Sequence, residues 1–206
     1  MPRAVRTLLL FIFASLPLAA AAAEKSILVL GDSLSAAYGL ARERGWVALL
    51  EERLKRERLD YSVVNASISG DTTGGARARL QPLLDKHRPS IVVIELGGND
   101  GLRGLPVTQM RSNLSAIINE VLTTGARGVL VGVKLPPNYG EVYTSAFEAA
   151  YRELAKTHRV PLVPFILEDF ADKPEFFQPD RIHPTAEAQP LMLDRVWGGL
   201  KPLLHR

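Results

Sequence analysis

Five short, largely apolar runs, at 27–30, 61–64, 91–96, 128–133 and 160–163, alternate along the chain with amphipathic stretches of helical period. Runs of this length closed by turn residues suit strands buried on both faces. Between them, Trp46, Leu50 and Leu54 recur every four residues with Glu51, Glu52, Arg53 and Lys55 interspersed, which predicts a helix over 46–57. Further helices are expected at 76–86, after a glycine-containing loop, and at 107–122, where Met110, Leu114, Ile117, Ile118 and Val121 share a face. Tyr143, Phe147, Ala150, Tyr151 and Leu154 mark another. A last one runs from about 185 to 203, bent or started late by Pro190. Strand–helix alternation of this kind implies an α/β fold: a parallel sheet with helices on both faces and right-handed crossovers. In such sheets the loops at the carboxyl ends of the strands build the site.

The 206 residues suit one domain, preceded by a leader. Arg3 and Arg6 form a short basic region, an apolar run follows from Leu8 to about Leu18, and Ala21-Ala22-Ala23 fits a small-residue cleavage site. The expectation is a cleaved signal peptide over 1–23 and one folded domain over 24–206, hence export to the periplasm or beyond, with no stable membrane insertion after cleavage. The leader holds two of the 25 basic residues and none of the 22 acidic ones, so the rest of the chain carries a net charge of +1. With no run of five or more like charges, nucleic acid is not an expected partner. The absence of cysteine excludes a disulfide framework, a thiolate metal site and a thiol nucleophile.

The chemistry lies in four loops. The first predicted strand ends in Gly31-Asp32-Ser33-Leu34-Ser35 and the second in Asn65-Ala66-Ser67-Ile68-Ser69-Gly70-Asp71. The third ends in Gly97-Gly98-Asn99-Asp100-Gly101, and Asp180-Arg181-Ile182-His183-Pro184 precedes the last helix. Together they offer a hydroxyl, a bare backbone amide, a carboxamide and a carboxylate–imidazole pair. A serine hydroxyl becomes a competent nucleophile when a neutral imidazole can take its proton. A carboxylate on the other ring nitrogen fixes the tautomer, and the spacing of Asp180 and His183 allows one turn to bring them together. The oxyanion of a tetrahedral intermediate needs preorganised donors. Gly70, with no Cβ to intervene, can present its N–H, and Ser33 N–H and the Asn99 amide can supply two more. Such a site loses activity on acidification, as the base protonates.

These blocks, in this order, resemble the GDSL or SGNH hydrolase family: GDSL at 31–34, the block glycine at Gly70, GxND at 97–100 and DxxH at 180–183. The likeness extends through 65–72, 95–105, 135–140 and 182–190 to the family's periplasmic branch of multifunctional thioesterases, lysophospholipases and arylesterases. It implies a three-layer, flavodoxin-like fold with a five-stranded parallel sheet. It further implies Ser33 as nucleophile, His183 as base oriented by Asp180, and an oxyanion hole of Ser33, Gly70 and Asn99. Substrates are expected among aryl esters, acyl thioesters and lysophospholipids, with no cofactor and the chain acting as a monomer. Leu102 and Leu105, in the loop 101–106, and Pro136 and Tyr139, in the stretch 135–143, are expected to form the acyl-chain wall. Arg181 departs from the DGIHP pattern frequent in relatives and adds a positive charge at the site mouth.

Plainer roles compete at several positions. Asp32 and Asp100 are expected to satisfy loop amides. Ser67 and Ser69 are rival hydroxyls, but neither follows the first strand. His87, His158 and His205 read as surface groups, and Tyr139 and Tyr143 either line a pocket or pack. The Asp180–His183 pair lacks a third ligand at metal spacing, so no metal is expected. Two alternative functions are a carbohydrate O-acetylesterase and a non-catalytic nucleotide or phosphate binder. For the latter, 31–36 lacks both G-x-G-x-x-G and Walker patterns.

Overall fold

The computed structural model describes residues 25–204; the expected leader and His205 lie outside them. Five strands, β1 (Ser26–Gly31), β2 (Ser62–Asn65), β3 (Ile91–Glu95), β4 (Arg127–Val131) and β5 (Leu162–Val163), form one parallel sheet in the order β2-β1-β3-β4-β5. β1 and β3 are buried along their whole length, which is why they carry unbroken apolar runs. β2, at the sheet edge, is only partly buried and tolerates Ser62 and Asn65.

The helices are α1 (Trp46–Arg56), α2 (Thr73–Ala78), α3 (Leu80–His87), α4 (Gly98–Leu102), α5 (Val107–Thr123), α6 (Glu141–His158) and α7 (Gln189–Leu200). α1 packs against α7, and α5 against α2, α3 and α6, so a helical layer covers each face of the sheet. The helix expected over 76–86 is two helices. Pro82 is the physical reason: its ring would collide with the carbonyl of Ala78 in a continuous helix, so α2 stops there and α3 restarts with Pro82 in its first turn. Pro190 acts alike at the start of α7, preceded by a 3₁₀ turn at Ala186–Ala188. Strand order reverses between β1 and β3, and the carboxyl ends of these strands open the crevice in which the chemistry of such sheets gathers.

Candidate active site

β1 ends at Gly31 and the chain turns at once: the Ala36 amide donates to the Asp32 carbonyl (2.9 Å) and the Tyr38 amide to the Ser33 carbonyl (3.2 Å). A Cβ on Gly31 would lie 2.7 Å from Ser35 Oγ and 2.8 Å from Ser67 Oγ, so only glycine fits beneath the turn. Ser33 is thereby presented, partly exposed, at the carboxyl edge of the sheet.

The opposing loop is tied to this turn. Gln178 Nε2 donates to the carbonyls of Tyr38 (2.8 Å) and Pro184 (3.0 Å), and Gln178 N–H to the His183 carbonyl (2.8 Å). The Tyr38 ring lies 4.2 Å, centroid to centroid, from the His183 ring. Sequence reasoning misses Gln178, whose partners are mostly main-chain carbonyls that leave no motif. The outcome is a chain of contacts: Ser33 Oγ to His183 Nε2 at 2.9 Å, and His183 Nδ1 to Asp180 Oδ2 at 2.7 Å. Since a carboxylate only accepts, the proton of the neutral ring is assigned to Nδ1, which leaves Nε2 as acceptor for the hydroxyl. Asp180 Oδ1 also accepts from the amides of Ile182 (2.9 Å) and His183 (3.0 Å). Burial works to raise the Asp180 carboxyl. The hydrogen bonds from the His183 amide, the His183 ring and the Ile182 amide, together with the charge of the ring, outweigh it and hold the group at about 2.

Asn99 stands on α4, which begins at Gly98 immediately beyond β3. Its Nδ2 donates one hydrogen to Asp32 Oδ2 (3.1 Å) and has a second to offer. Asp100 is buried and accepts from both the Thr73 amide (2.8 Å) and the Thr73 hydroxyl (2.5 Å), which fixes α4 against the start of α2. Its expected role in satisfying loop groups therefore extends to a tie between two site loops. Gly70 lies on the loop between β2 and α2, where Arg103 Nη2 donates to its carbonyl (2.8 Å). Space is not what demands glycine there: an added Cβ would meet only Arg103 Nη2 at 3.8 Å. The requirement is its φ of +80°, which sets the direction of the peptide.

Two buried acids lie behind Ser33 and Asn99. Asp32, 2% exposed, accepts from the Leu34 amide (3.1 Å) as well as from Asn99, and Glu95, 0% exposed, accepts from Ser35 Oγ (2.7 Å). Burial above all pushes Asp32 up to about 6, against the Leu34 and Asn99 hydrogen bonds and the charge of His183, with Asp71 adding to the rise. Burial, and then the charge of Asp32, hold Glu95 well above the carboxylate range. A carboxyl raised in this way keeps a proton that the unfolded chain has released. Folded stability therefore falls as pH climbs from the ordinary glutamate value of 4.5 towards the raised one. Glu95→Gln keeps the shape and cannot ionise, so it should melt above the wild type at pH 8. Each tenfold gain in the proton affinity of the buried carboxyl is equivalent to about 1.4 kcal/mol, or about 3–6 °C in a domain of this size. The advantage of the variant should vanish near pH 4; one that does not change with pH would contradict this account.

Ser33, Asn99 and His183 open onto a cavity of about 590 Å³ walled by Leu34, Leu102, Val133, Leu135, Phe165 and Phe177, with Pro136 and Ile182 beside them. Two expected wall residues are corrected. Leu105 and Tyr139 are not part of the lining: Tyr139 lies in a neighbouring groove with Pro106, Val107 and Tyr143, and the main chain of Leu105 is tied to Tyr143. The Tyr139 hydroxyl donates to the Leu102 carbonyl (3.0 Å), and the Leu105 carbonyl accepts from Tyr143 Oη (2.6 Å). Arg181 does line the cavity. It holds a left-handed φ of +58°, and among the described residues its guanidinium has no side-chain partner.

A second Ser–His contact lies in the groove between α5 and α6, where Ser115 Oγ is 2.9 Å from His158 Nε2. His158 is thus partly buried and partnered rather than a free surface group. Among the described residues no carboxylate forms an ion pair with it, so the groove lacks the ring-orienting acid that the Ser33 site has.

A family model described as the GDSL-like Lipase/Acylhydrolase family matches residues 29–190. The chain is 51% identical over 183 residues to Esterase TesA of Pseudomonas aeruginosa, covering 89% of this chain and 91% of that protein. It is 45% identical over 195 residues to the Thioesterase 1/protease 1/lysophospholipase L1 of Escherichia coli K12, covering 95% of this chain and 92% of that one. A solved structure described as the crystal structure of TesA matches with a TM-score of 0.85 at 50% identity, covering 87% of this chain and 100% of the other.

Proposed function

The chain belongs to the GDSL-like lipase/acylhydrolase family and is a carboxylic ester hydrolase; from that premise we propose that Ser33 is its nucleophile, His183 its general base and acid, and Asp180 the carboxylate that holds the ring. The unbroken line of contacts from Ser33 Oγ through both nitrogens of His183 to Asp180 supports these roles above any other observation. Ser33 attacks the acyl carbonyl as Nε2 accepts its proton. The imidazolium then protonates the departing alcohol or thiol, leaving an acyl-enzyme. Water, deprotonated by the same nitrogen, releases the acid and restores Ser33. The oxyanion is received by Ser33 N–H, Gly70 N–H and the Asn99 hydrogen that Asp32 does not take. Membership of a hydrolase family removes the non-catalytic nucleotide-binding alternative.

The substrates we assign are aryl esters, acyl thioesters and lysophospholipids, processed by a monomer. The apolar cavity wall favours a medium or long acyl chain over the acetyl group of a carbohydrate O-acetylesterase. We further propose that residues 1–23 are a cleaved leader and that the enzyme works in the periplasm; amino-terminal sequencing of the exported protein tests both. Among the described residues no helix is long and apolar enough to cross a membrane.

Hydrolysis of p-nitrophenyl esters from acetate to palmitate tests the acyl assignment. A maximum at medium or long chains is expected, and activity confined to acetate would favour the O-acetylesterase. The lysophospholipid assignment leans on Arg181, a cation of the cavity lining with no side-chain partner among the described residues, whereas the other lining cation, Lys134, lies 3.9 Å from Glu168. Glycine takes its left-handed backbone without strain, so Arg181→Gly should fold at least as well as the wild type. Its kcat/KM should drop about 5-fold for a lysophospholipid, the equivalent of about 1 kcal/mol for a partly exposed ion pair. For p-nitrophenyl butyrate it should stay within about 2-fold. Equal losses on both substrates would contradict a headgroup contact.

A further inference from the structure

A fully buried carboxyl with no cation beside it needs a reason to be there, because its charged form is costly in a medium that cannot solvate it. Glu95 is such a group, and Asp32, 2% exposed and acted on by the charge of His183, lies in the same place. Glu95 is the last residue of β3 and pairs in register with Gly31, the residue before Asp32. Among the described residues neither has an ion-pair partner. Oε2 of Glu95 is occupied by the Ser35 hydroxyl, which donates at 2.7 Å, while Oε1 is buried with no standard-length hydrogen bond to any other group. Asp32 acts on Glu95 as a charge and a side-chain hydrogen-bonding group, both of which favour a proton on Glu95, while its main-chain amide works the other way. A single proton held by Glu95 satisfies this arrangement and leaves the two acids with one negative charge rather than two.

That charge belongs on Asp32, whose two oxygens both accept: Oδ1 from the Leu34 amide and Oδ2 from Asn99 Nδ2. The first contact braces the turn that carries Ser33. The second holds one hydrogen of the Asn99 amide and so determines where the other points. We propose that Glu95 is a positioning residue of the oxyanion hole, acting through Asp32 to aim the Asn99 amide at the reacting carbonyl. The inference rests on the assignment of Asn99 as an oxyanion donor. The ionisable groups around the pair are His183, from the loop before α7, Asp71, from the loop after β2, Asp100, on α4, and Tyr151, on α6. Tyr151 is spent on the Leu96 carbonyl (2.8 Å), Asp100 on Thr73, Asp71 on Arg79 and His183 on Asp180. Glu95 differs from them in having a buried oxygen, Oε1, that no other group engages.

The test is a set of kinetic cycles on folded protein with p-nitrophenyl butyrate, using Glu95→Ala, Glu95→Gln, Asp32→Asn, Asn99→Ala and the doubles of Glu95→Ala and Asp32→Asn with Asn99→Ala. Glu95→Ala should lower kcat at least about 10-fold with KM within about 3-fold. Glu95→Gln, which donates permanently from the same place and still accepts from Ser35, should restore kcat to within about 3-fold of the wild type. In the Asn99→Ala background, Glu95→Ala should cost less than about 3-fold more, because the group it positions is gone. Should Glu95→Ala not fold, Asp32→Asn carries the same cycle. A carboxamide has one accepting oxygen for two donors, so it should lose at least about 10-fold alone and less than about 3-fold beside Asn99→Ala. Losses that multiply in the doubles, or a Glu95→Gln protein as impaired as Glu95→Ala, would overturn the inference. An Asn99→Ala protein with wild-type kcat would remove the oxyanion assignment itself, a distinct failure that takes this inference with it.

Discussion

Replacing Ser33 with alanine should lower kcat/KM for p-nitrophenyl esters by at least about 10⁴-fold while leaving the melting temperature unchanged. The size follows from the role: without the nucleophile no acyl-enzyme forms, and what survives is the contribution of binding and the oxyanion hole. The unchanged stability follows from the placement. Ser33 Oγ is partly exposed and hydrogen-bonds to His183 Nε2, outside the hydrophobic core. The two hydroxyls packed under the turn cannot take over. Ser35 is 1% exposed and committed to Glu95, and Ser67 Oγ is buried under the turn. Circular dichroism and thermal melting of the variant, beside its kinetics, check both halves. A variant retaining more than about 1% of wild-type activity would point to another nucleophile.

Asp180→Asn should be nearly as damaging, with kcat lowered by about 10³–10⁴-fold. One asparagine oxygen can still accept from the Ile182 and His183 amides, as Asp180 Oδ1 does now at 2.9 and 3.0 Å. The amide nitrogen then faces His183 Nδ1 where a carboxylate oxygen stood at 2.7 Å. Two donors cannot share that contact, so the ring proton moves to Nε2, which can no longer accept from Ser33. The loop should keep its fold, and the loss should fall on kcat with KM little changed. Imidazole ¹⁵N shifts provide the check: Nδ1 protonated in the wild type, Nε2 protonated in the variant. A variant with the wild-type tautomer and rate would remove Asp180 from the mechanism.

The parts of this molecule that can be seen in its sequence are those whose chemistry restricts residue type locally. Apolar runs with glycine at their ends locate the central strands to within about two residues, because burial on both faces leaves no room for alternation. Gly31–Ser33 and Asp180–His183 stand out because a crowded turn, with no room for a Cβ on Gly31, and a short acid–base spacing each demand particular residues. α4 reads as loop, since Gly98, Asn99 and Gly101 have poor helix propensity; the helix is held by contacts from far along the chain, Asp100 to Thr73 and Tyr139 to the Leu102 carbonyl. The same distance effect misplaces Leu105 and Tyr139, which neighbour lining residues in sequence but are not part of the lining. Glu95 looks like the ordinary end of a strand, since nothing in Ile91-Val92-Val93-Ile94-Glu95 says that a second acid, sixty-three residues earlier, will be buried against it. The break at Pro82 is present in the sequence and needs only a stricter application of proline geometry.

The most direct test of the central claim is to treat the mature protein with a p-nitrophenyl phosphonate ester, which transfers its phosphonyl group to an activated serine, and to map the adduct by peptide mass spectrometry. One phosphonyl group per chain on the peptide bearing Ser33, formed slowly or not at all in His183→Ala and Asp180→Asn, is the predicted result. Modification at Ser67, Ser69 or Ser115, or undiminished labelling of Ser33→Ala, would contradict it.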